Sequence, residues 1–435
     1  MIVLKDAKIF DGMHFLEHPA DVLVEKGVVT RVSPGISAPA EARVLDLQGC
    51  VVAPGFIDLH GHFRDPGQTW REDLVSGARA AAAGGFAVAV AMPNTEPPLD
   101  SEALVRDVRE RGKRTGGALI LPAGCVSRGR KGEDMAELAS MAEAGAVLFT
   151  DDGAPVLRSS LLRNALLYAS DLGVRLMEHP EDPDLCRGAQ VHDGRCSAKS
   201  GMRGMPAAGE VIGVCRALAL SRETSCPVHL THVSTAQALE EIRRAKDGGL
   251  AVTCDVTPHH LVFSEEDVLA SHLNASFKVN PPLRSREDVE ALWRGIADGT
   301  VDAIGTDHAP WHEDEKDVPF LEASFGIASY ECAVAAVLDE GRRRGVPLET
   351  LLRLWTSGPA ALLPSWAGVP GKLEEGVPAF LTVLDPTRSL VVDPDRWRSK
   401  VRITPYRGKS FTGAPVATVV AGTLVYDALS ETPRV

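Results

Sequence analysis

Phe56-Ile57-Asp58-Leu59-His60-Gly61-His62 is an apolar run of strand length that ends in two histidines one residue apart. Side chains at i and i+2 of a strand share a face, so both imidazoles can reach one ion. Similar runs recur along the chain at Phe86 to Met92, Ala118 to Leu121, Ala146 to Phe149 and Val174 to Met177. Three more follow at Val228 to Leu230, Leu250 to Val252 and Val301 to Ile304. Between them lie helical segments such as Ser76 to Ala83, Glu133 to Glu143, Leu161 to Ser170, Ala236 to Lys246 and Arg286 to Ile296. Near-continuous apolar strands alternating with helices describe a parallel sheet covered on both faces. Eight such units are the count of a (β/α)8 barrel, the fold expected here, with a doubly wound open sheet as its rival.

Polar residues gather where these runs stop. The first ends His60-Gly61-His62, the fourth Thr150-Asp151-Asp152-Gly153, the fifth Glu178-His179, the sixth Thr231-His232 and the eighth Thr306-Asp307-His308. In a parallel barrel all these C-terminal ends lie at one mouth, where barrel enzymes keep their active sites. His60, His62, His179 and His232, with Asp307 and either Asp151 or Asp152, form a nitrogen-and-oxygen set suited to zinc. A single His-x-His is more often a packing pair; joint placement at successive strand ends carries the metal reading. The remaining histidines read differently. His14, His18, His192 and His272 fall outside strand ends as solvated or loop residues, and His229 is read as packing. His259-His260 follows the seventh run and is read as structural or supporting.

The two ends of the chain have another texture. Ile2-Val3-Leu4, Ala20 to Val24, Val28 to Val32 and Val44 to Leu47 are short β-rich runs, as are Phe380 to Leu384, Val416 to Val420 and Thr423 to Tyr426. Neither end folds convincingly alone, so residues 1–52 and 365–435 are expected to pair into one small β-sandwich beside a barrel over 53–364.

The 435 residues are 44% hydrophobic and 24% charged, which suits a large folded core. A formal net charge of -13 argues against nucleic-acid or anionic-membrane partners, both polyanions. The eight cysteines are scattered without a Cys-x-x-Cys pair and read as reduced thiols. With no signal-peptide layout and no membrane-length apolar run, a soluble cytoplasmic protein is expected.

Val52-Ala53-Pro54-Gly55-Phe56-Ile57-Asp58-Leu59-His60-Gly61-His62 closely resembles the opening motif of the amidohydrolase superfamily, and His60-Gly61-His62-Phe63-Arg64-Asp65-Pro66-Gly67 resembles its dihydroorotase and allantoinase branch. Ala91-Met92-Pro93-Asn94-Thr95, Thr257-Pro258-His259-His260-Leu261 and Lys278-Val279-Asn280-Pro281-Pro282-Leu283-Arg284 extend the match. Gly305-Thr306-Asp307-His308-Ala309-Pro310 and Ser324-Phe325-Gly326-Ile327 complete a resemblance to the long, type I dihydroorotases of pyrimidine biosynthesis. The resemblance implies reversible closure of N-carbamoyl-L-aspartate to (S)-dihydroorotate with one or two zinc ions, in a homodimer that can associate with aspartate transcarbamoylase. Hydantoinases and allantoinases carry a carbamylated lysine at the end of the fourth strand; Phe149-Thr150-Asp151-Asp152-Gly153 has none, and by the type I pattern Asp152 bridges the metals.

The same resemblance makes Asp307 the catalytic proton carrier and a metal ligand. It implies substrate contacts from His62, Arg64, Asn94, Asn280 and the backbone at Phe325 and Gly326. Arg64 also stands on its own chemistry, because a guanidinium forks onto a carboxylate that dihydroorotate has and hydantoin lacks. Many relatives have a substrate-contacting histidine where this chain has Trp311, with His312 next, so either side chain is a candidate. The rival functions are another cyclic amidase and a metal-free scaffold of aspartate transcarbamoylase.

Overall fold

In the computed structural model, which describes residues 1–430, eight parallel strands form a nearly closed barrel. The strands are Phe56–Gly61, Phe86–Ala91, Leu119–Gly124, Leu148–Phe149, Arg175–Glu178, Val228–Leu230, Val252–Val256 and Ala303–Ile304. Each pairs in parallel with the next. The first and eighth meet at the single bridge from Gly61 to His308, reinforced by a 2.8 Å hydrogen bond from the His62 N–H to the His308 carbonyl. The open-sheet rival is thereby set aside.

Helices cover the barrel as the alternation requires. Leu74–Ala83, Glu102–Gly112, Ser159–Asp171, Ala207–Thr224, Ala236–Asp247, Arg286–Asp298 and Tyr330–Arg343 are the principal ones. The outer core fills the space between strands and helices with residues such as Phe86, Ala78, Leu166, Ile242 and Trp355, all buried. A second apolar cluster joins other residues of the same strands, Ile57, Leu59, Val88, Val90 and Met177, to Phe380, which precedes the strand Leu381–Val391.

Two expectations shift. The seventh strand runs over Val252–Val256, beyond the apolar run, pairing with Val228–Leu230 and then with Ala303–Ile304, while its polar Thr253 and Asp255 hydrogen-bond to His229. The helix expected from Glu133 begins only at Leu138. The residues before it pair instead with the segment after the third strand: Met135 bridges Ser127, and the Ala136 N–H donates to the Val126 carbonyl at 2.9 Å.

The two ends of the chain pair with each other. Ile2–Ile9, Ala20–Glu25, Val28–Ser33, Arg43–Asp46 and Val51–Pro54 join Leu381–Val391, Ser410–Val420 and Thr423–Asp427 in one sheet. The seam is antiparallel, with Val51, Val52, Ala53 and Pro54 opposite Leu384, Val383, Thr382 and Leu381. Residues 431–435 of the expected C-terminal segment lie outside the described residues. Among the described residues, no helix is long and apolar enough to cross a membrane.

Candidate active site

The first strand delivers His60 and His62 to the barrel mouth. Its pairing with the second strand shifts register between Asp58 and Gly61, a bulge of the kind that re-aims side chains beside active sites. Gly61 has no alternative there, since a Cβ would lie 2.0 Å from the Tyr330 hydroxyl. Asp58 is fully buried and ties the first strand to the eighth, accepting from the Thr306 N–H and hydroxyl and from the Tyr330 hydroxyl, each at 2.8 Å.

Asp152 stands in the middle of four imidazoles. Its Oδ1 is 3.4 Å from His60 Nε2, 3.6 Å from His179 Nδ1 and 3.5 Å from His232 Nε2, while its Oδ2 is 3.6 Å from His62 Nε2. Asp307 Oδ1 lies 3.0 Å from His62 Nε2 and 3.6 Å from His60 Nε2. Five of the six side chains fall into two overlapping groups, His60 with Asp152 and His232, and His60 with His62 and Asp307, while His179 stands beside them against His232 and Asp152. All six side chains are buried. Asp151 is elsewhere: its carboxylate accepts from the N–H groups of Val126 and Ser127 and from the Ser127 hydroxyl.

The surrounding residues orient these ligands. His62 donates from Nδ1 to Asn94 Oδ1 at 2.8 Å, and His60 Nδ1 meets the Thr231 hydroxyl at 2.7 Å. His179 turns Nε2 to Glu181 at 3.1 Å, which leaves its Nδ1 for the cluster. Such outer partners set which ring nitrogen carries the proton. Asp255 holds the His232 N–H, the Thr231 hydroxyl and His229, so His229 belongs to the support network and is not simple packing.

A divalent cation fits this donor set. His179 Nδ1 and His232 Nε2 approach to 2.8 Å, a distance that two lone pairs tolerate only with a proton or cation between them. His60 Nε2 and Asp152 Oδ1 are buried without a hydrogen-bond partner, at the place where the other donors converge. The charges agree. Burial opposes ionisation of Asp152, yet the His60 charge and contacts from His179 and His232 hold its carboxyl well below the usual range. Burial likewise disfavours charged His60, but Asp152 and then Asp307 lift it to about 9.

Beside the cluster lies a cavity of about 290 Å³. His62, Asp152, His179, His232 and Asp307 form its floor, and Arg64, Asn94 and Asn280 line its sides. Arg64 is buried, donates from Nε to the Pro310 carbonyl at 3.1 Å and lies 4.8 Å from the Trp311 ring centre. No carboxylate pairs with it among the described residues. Burial and neighbouring Arg71 lower its guanidinium to about 10, leaving it charged at neutral pH. Arg64, His232 and Asp307 have φ of 57°, 41° and 43°, a strained left-handed backbone of the sort that collects at functional sites.

Trp311, Phe325 and Gly326 form the remaining wall. Trp311 Nε1 donates to the Phe325 carbonyl at 2.6 Å. Gly326 has φ of +131°, and a Cβ there would meet the Ala309 carbonyl at 2.6 Å. His312 does not line the cavity; it accepts from the Asp314 N–H at 3.3 Å and is 44% exposed. Two buried lysines secure this wall: Lys278 donates to the carbonyls of Phe320 and Leu321, and Lys316 to those of Lys278 and Ser324.

Some site residues escape a strand-end reading. Asp58, Glu181 and Asp255 do not stand where an apolar run stops, although Asp58 precedes His60 by the same two residues that separate His60 from His62. Arg130 also lines the cavity, from a loop with no periodic signal. His260 is a buried support, bonded to the Thr257 hydroxyl and the Pro281 carbonyl. His192 is buried against Arg284, contrary to a solvated loop residue.

A family model described as "Dihydro-orotase-like" matches residues 49–238. A dihydroorotase from Pelotomaculum thermopropionicum is 43% identical, covering 98% of this chain and 98% of that protein. One from Pelobacter propionicus is 39% identical over 98% of this chain and 99% of its own. An L-hydantoinase structure from Arthrobacter aurescens superposes with a TM-score of 0.86 at 26% identity, covering 98% of this chain and 96% of the other. With relatives this similar along nearly the whole of both chains, the protein belongs to the dihydroorotase family of cyclic amide hydrolases.

Proposed function

We propose that this enzyme reversibly closes N-carbamoyl-L-aspartate to (S)-dihydroorotate and water, with zinc held by His60, His62, Asp152, His179, His232 and Asp307. The observation that carries the substrate is Arg64, a buried guanidinium without a carboxylate partner among the described residues, facing the cavity that the ligand cluster floors. A neutral cyclic diamide offers it only carbonyl oxygens; the substrate α-carboxylate gives it a charged, bidentate partner.

When bound, a divalent cation in this cluster supplies Lewis acidity toward a carbonyl oxygen and toward water. The protein supplies the rest. Arg64 and the Asn94 amide, whose oxygen is engaged by His62, hold the α-carboxylate. Asn280 Oδ1, buried and unpartnered, accepts from a ring N–H, while its amide group rests on Glu181. The backbone at Phe325 and Gly326 closes over the ring, and Trp311 keeps water from that side. With both ends of the substrate held, the reacting atoms stay in near-attack geometry.

Asp307 moves the proton. Its carboxyl is held well below the usual range by the His62 hydrogen bond and the surrounding imidazoles, which outweigh burial, so it starts as a base. In hydrolysis it takes the proton of the attacking water and delivers it to the departing ring nitrogen; in ring closure it takes the proton from the ureido nitrogen. A substrate panel tests the assignment: dihydroorotate and carbamoyl aspartate are expected to turn over, and hydantoin and allantoin are not. Preference for a neutral ring would overturn it. Asp307→Asn is expected to lose turnover by more than about a hundredfold with little change in KM, and a normal kcat would remove the proton-carrier role.

A further inference from the structure

Arg130 brings a second guanidinium to the cavity. It sits in the loop between the third strand and Leu138–Ala144, with φ of 56°. Its Nη2 donates to the main-chain carbonyl of Asp152. Its Nε is buried with no hydrogen-bond partner, and no carboxylate pairs with it among the described residues. Arg130 therefore resembles Arg64: a cation brought to the cavity wall on strained backbone, with no carboxylate in direct contact among the described residues, and with one N–H left without a partner.

The two arginines stand on different sides. Around the mouth the order is Arg64 after the first strand, Asn94 after the second, Arg130 after the third and Asp152 after the fourth. Arg64 shares the α-carboxylate with Asn94, whereas Arg130 leans on Asp152, next to the reacting centre. The proposed substrate differs between its two forms on that side. Carbamoyl aspartate carries a second carboxylate there, and dihydroorotate carries a neutral ring carbonyl in its place.

Building on the dihydroorotase reading above, we propose that Arg130 binds the carboxylate consumed on ring closure and so determines specificity for the open-chain substrate. On closure the ureido nitrogen forms a bond to the carboxylate carbon and one C–O bond breaks. The oxygen leaves as water, with one proton from the nitrogen and one from solvent. Arg130 holds the carboxylate of the bound open chain and the oxyanion of the transition state alike, so it favours binding without changing the cyclising barrier; hydrolysis starts from a neutral carbonyl, and there the same contact stabilises the oxyanion as it develops.

The test is the kinetics of Arg130→Met in both directions, with metal content measured on the same protein. KM for carbamoyl aspartate is expected to rise roughly ten- to hundredfold, while KM for dihydroorotate stays within about twofold. Because no enzyme alters the overall equilibrium, the hydrolytic kcat falls by a matching factor while the cyclising kcat holds. Arg130→Lys, which keeps the charge, recovers part of the loss. Arg130→Gln gives the same comparison should the methionine variant fail to fold. An equal rise in both KM values, or an unchanged KM for carbamoyl aspartate, would overturn the proposal. So would loss of bound metal with both KM values intact, which would mean that Arg130 acts only by holding Asp152. Wild-type protein inactive on carbamoyl aspartate would instead remove the dihydroorotase reading, and this inference with it.

Discussion

Replacing Asp58 probes how the barrel closes. The first and eighth strands share one bridge, so much of the seam rests on this carboxylate. Oδ1 accepts from the main-chain N–H groups of Thr306 at 2.8 Å and His60 at 3.2 Å. Oδ2 accepts from the hydroxyls of Thr306 and Tyr330, both at 2.8 Å. In Asp58→Asn an oxygen can stay on the two N–H groups and the amide can face the two hydroxyls, which rotate to accept. That exchange should cost about 1–2 kcal/mol. Asp58→Ala instead strands four buried donors and leaves a small void; at about 1–3 kcal/mol per orphan, with partial relaxation, the loss is about 4–8 kcal/mol. Such a loss approaches the whole net stability of a typical domain. Urea unfolding followed by circular dichroism would measure both variants against wild type. An alanine variant no less stable than the asparagine variant would refute the idea that this side chain closes the barrel.

Three further outcomes are expected. Arg64→Met should raise KM for carbamoyl aspartate by roughly ten- to hundredfold, and steady-state kinetics showing an unchanged KM would remove the carboxylate anchor. Dialysis against a chelator should abolish activity while leaving the far-ultraviolet dichroism largely intact, because the ligands sit on a barrel with its own core; zinc should restore turnover, and activity that survives full metal removal would refute the cluster's role. Lys316 offers a pH test away from the ligands: burial lowers its ammonium to about 7, below its unfolded value. The native state thus binds fewer protons than the unfolded chain above pH 7, and stability rises with pH toward the unfolded pKa by up to about 1.4 kcal/mol per unit from this group. Lys316→Met should flatten the urea midpoint against pH between about 7 and 10, and parallel curves for the two proteins would show that this lysine is not the source.

The barrel was legible because its strands are buried on both sides and leave long apolar runs, and the ligands because they stand where those runs stop. What stayed hidden has physical reasons. Thr253 and Asp255 interrupt the apolar signal of the seventh strand, since the interior of the barrel near the ligands is polar. The choice between Asp151 and Asp152 depends on which one Ser127 captures, a contact made by a loop from the preceding strand. Trp311 faces the cavity and His312 does not because His312 opens the short helix Glu313–Lys316, a local preference too weak to read beside a tryptophan. Arg130 belongs to the loop between the third strand and Leu138–Ala144, and loops carry no period to read.

The seam between Val51–Pro54 and Leu381–Leu384 also bears on how the molecule is made. A ribosome releases the first of these strands well before the barrel and the second only after it. At about 5–20 residues per second the wait is on the order of tens of seconds. Throughout it, Val51–Pro54 presents an unpaired edge that another nascent copy could take as a template. The barrel can assemble meanwhile, but the layer beneath it is sealed last, and a chain cut short before Leu381 would keep that edge open.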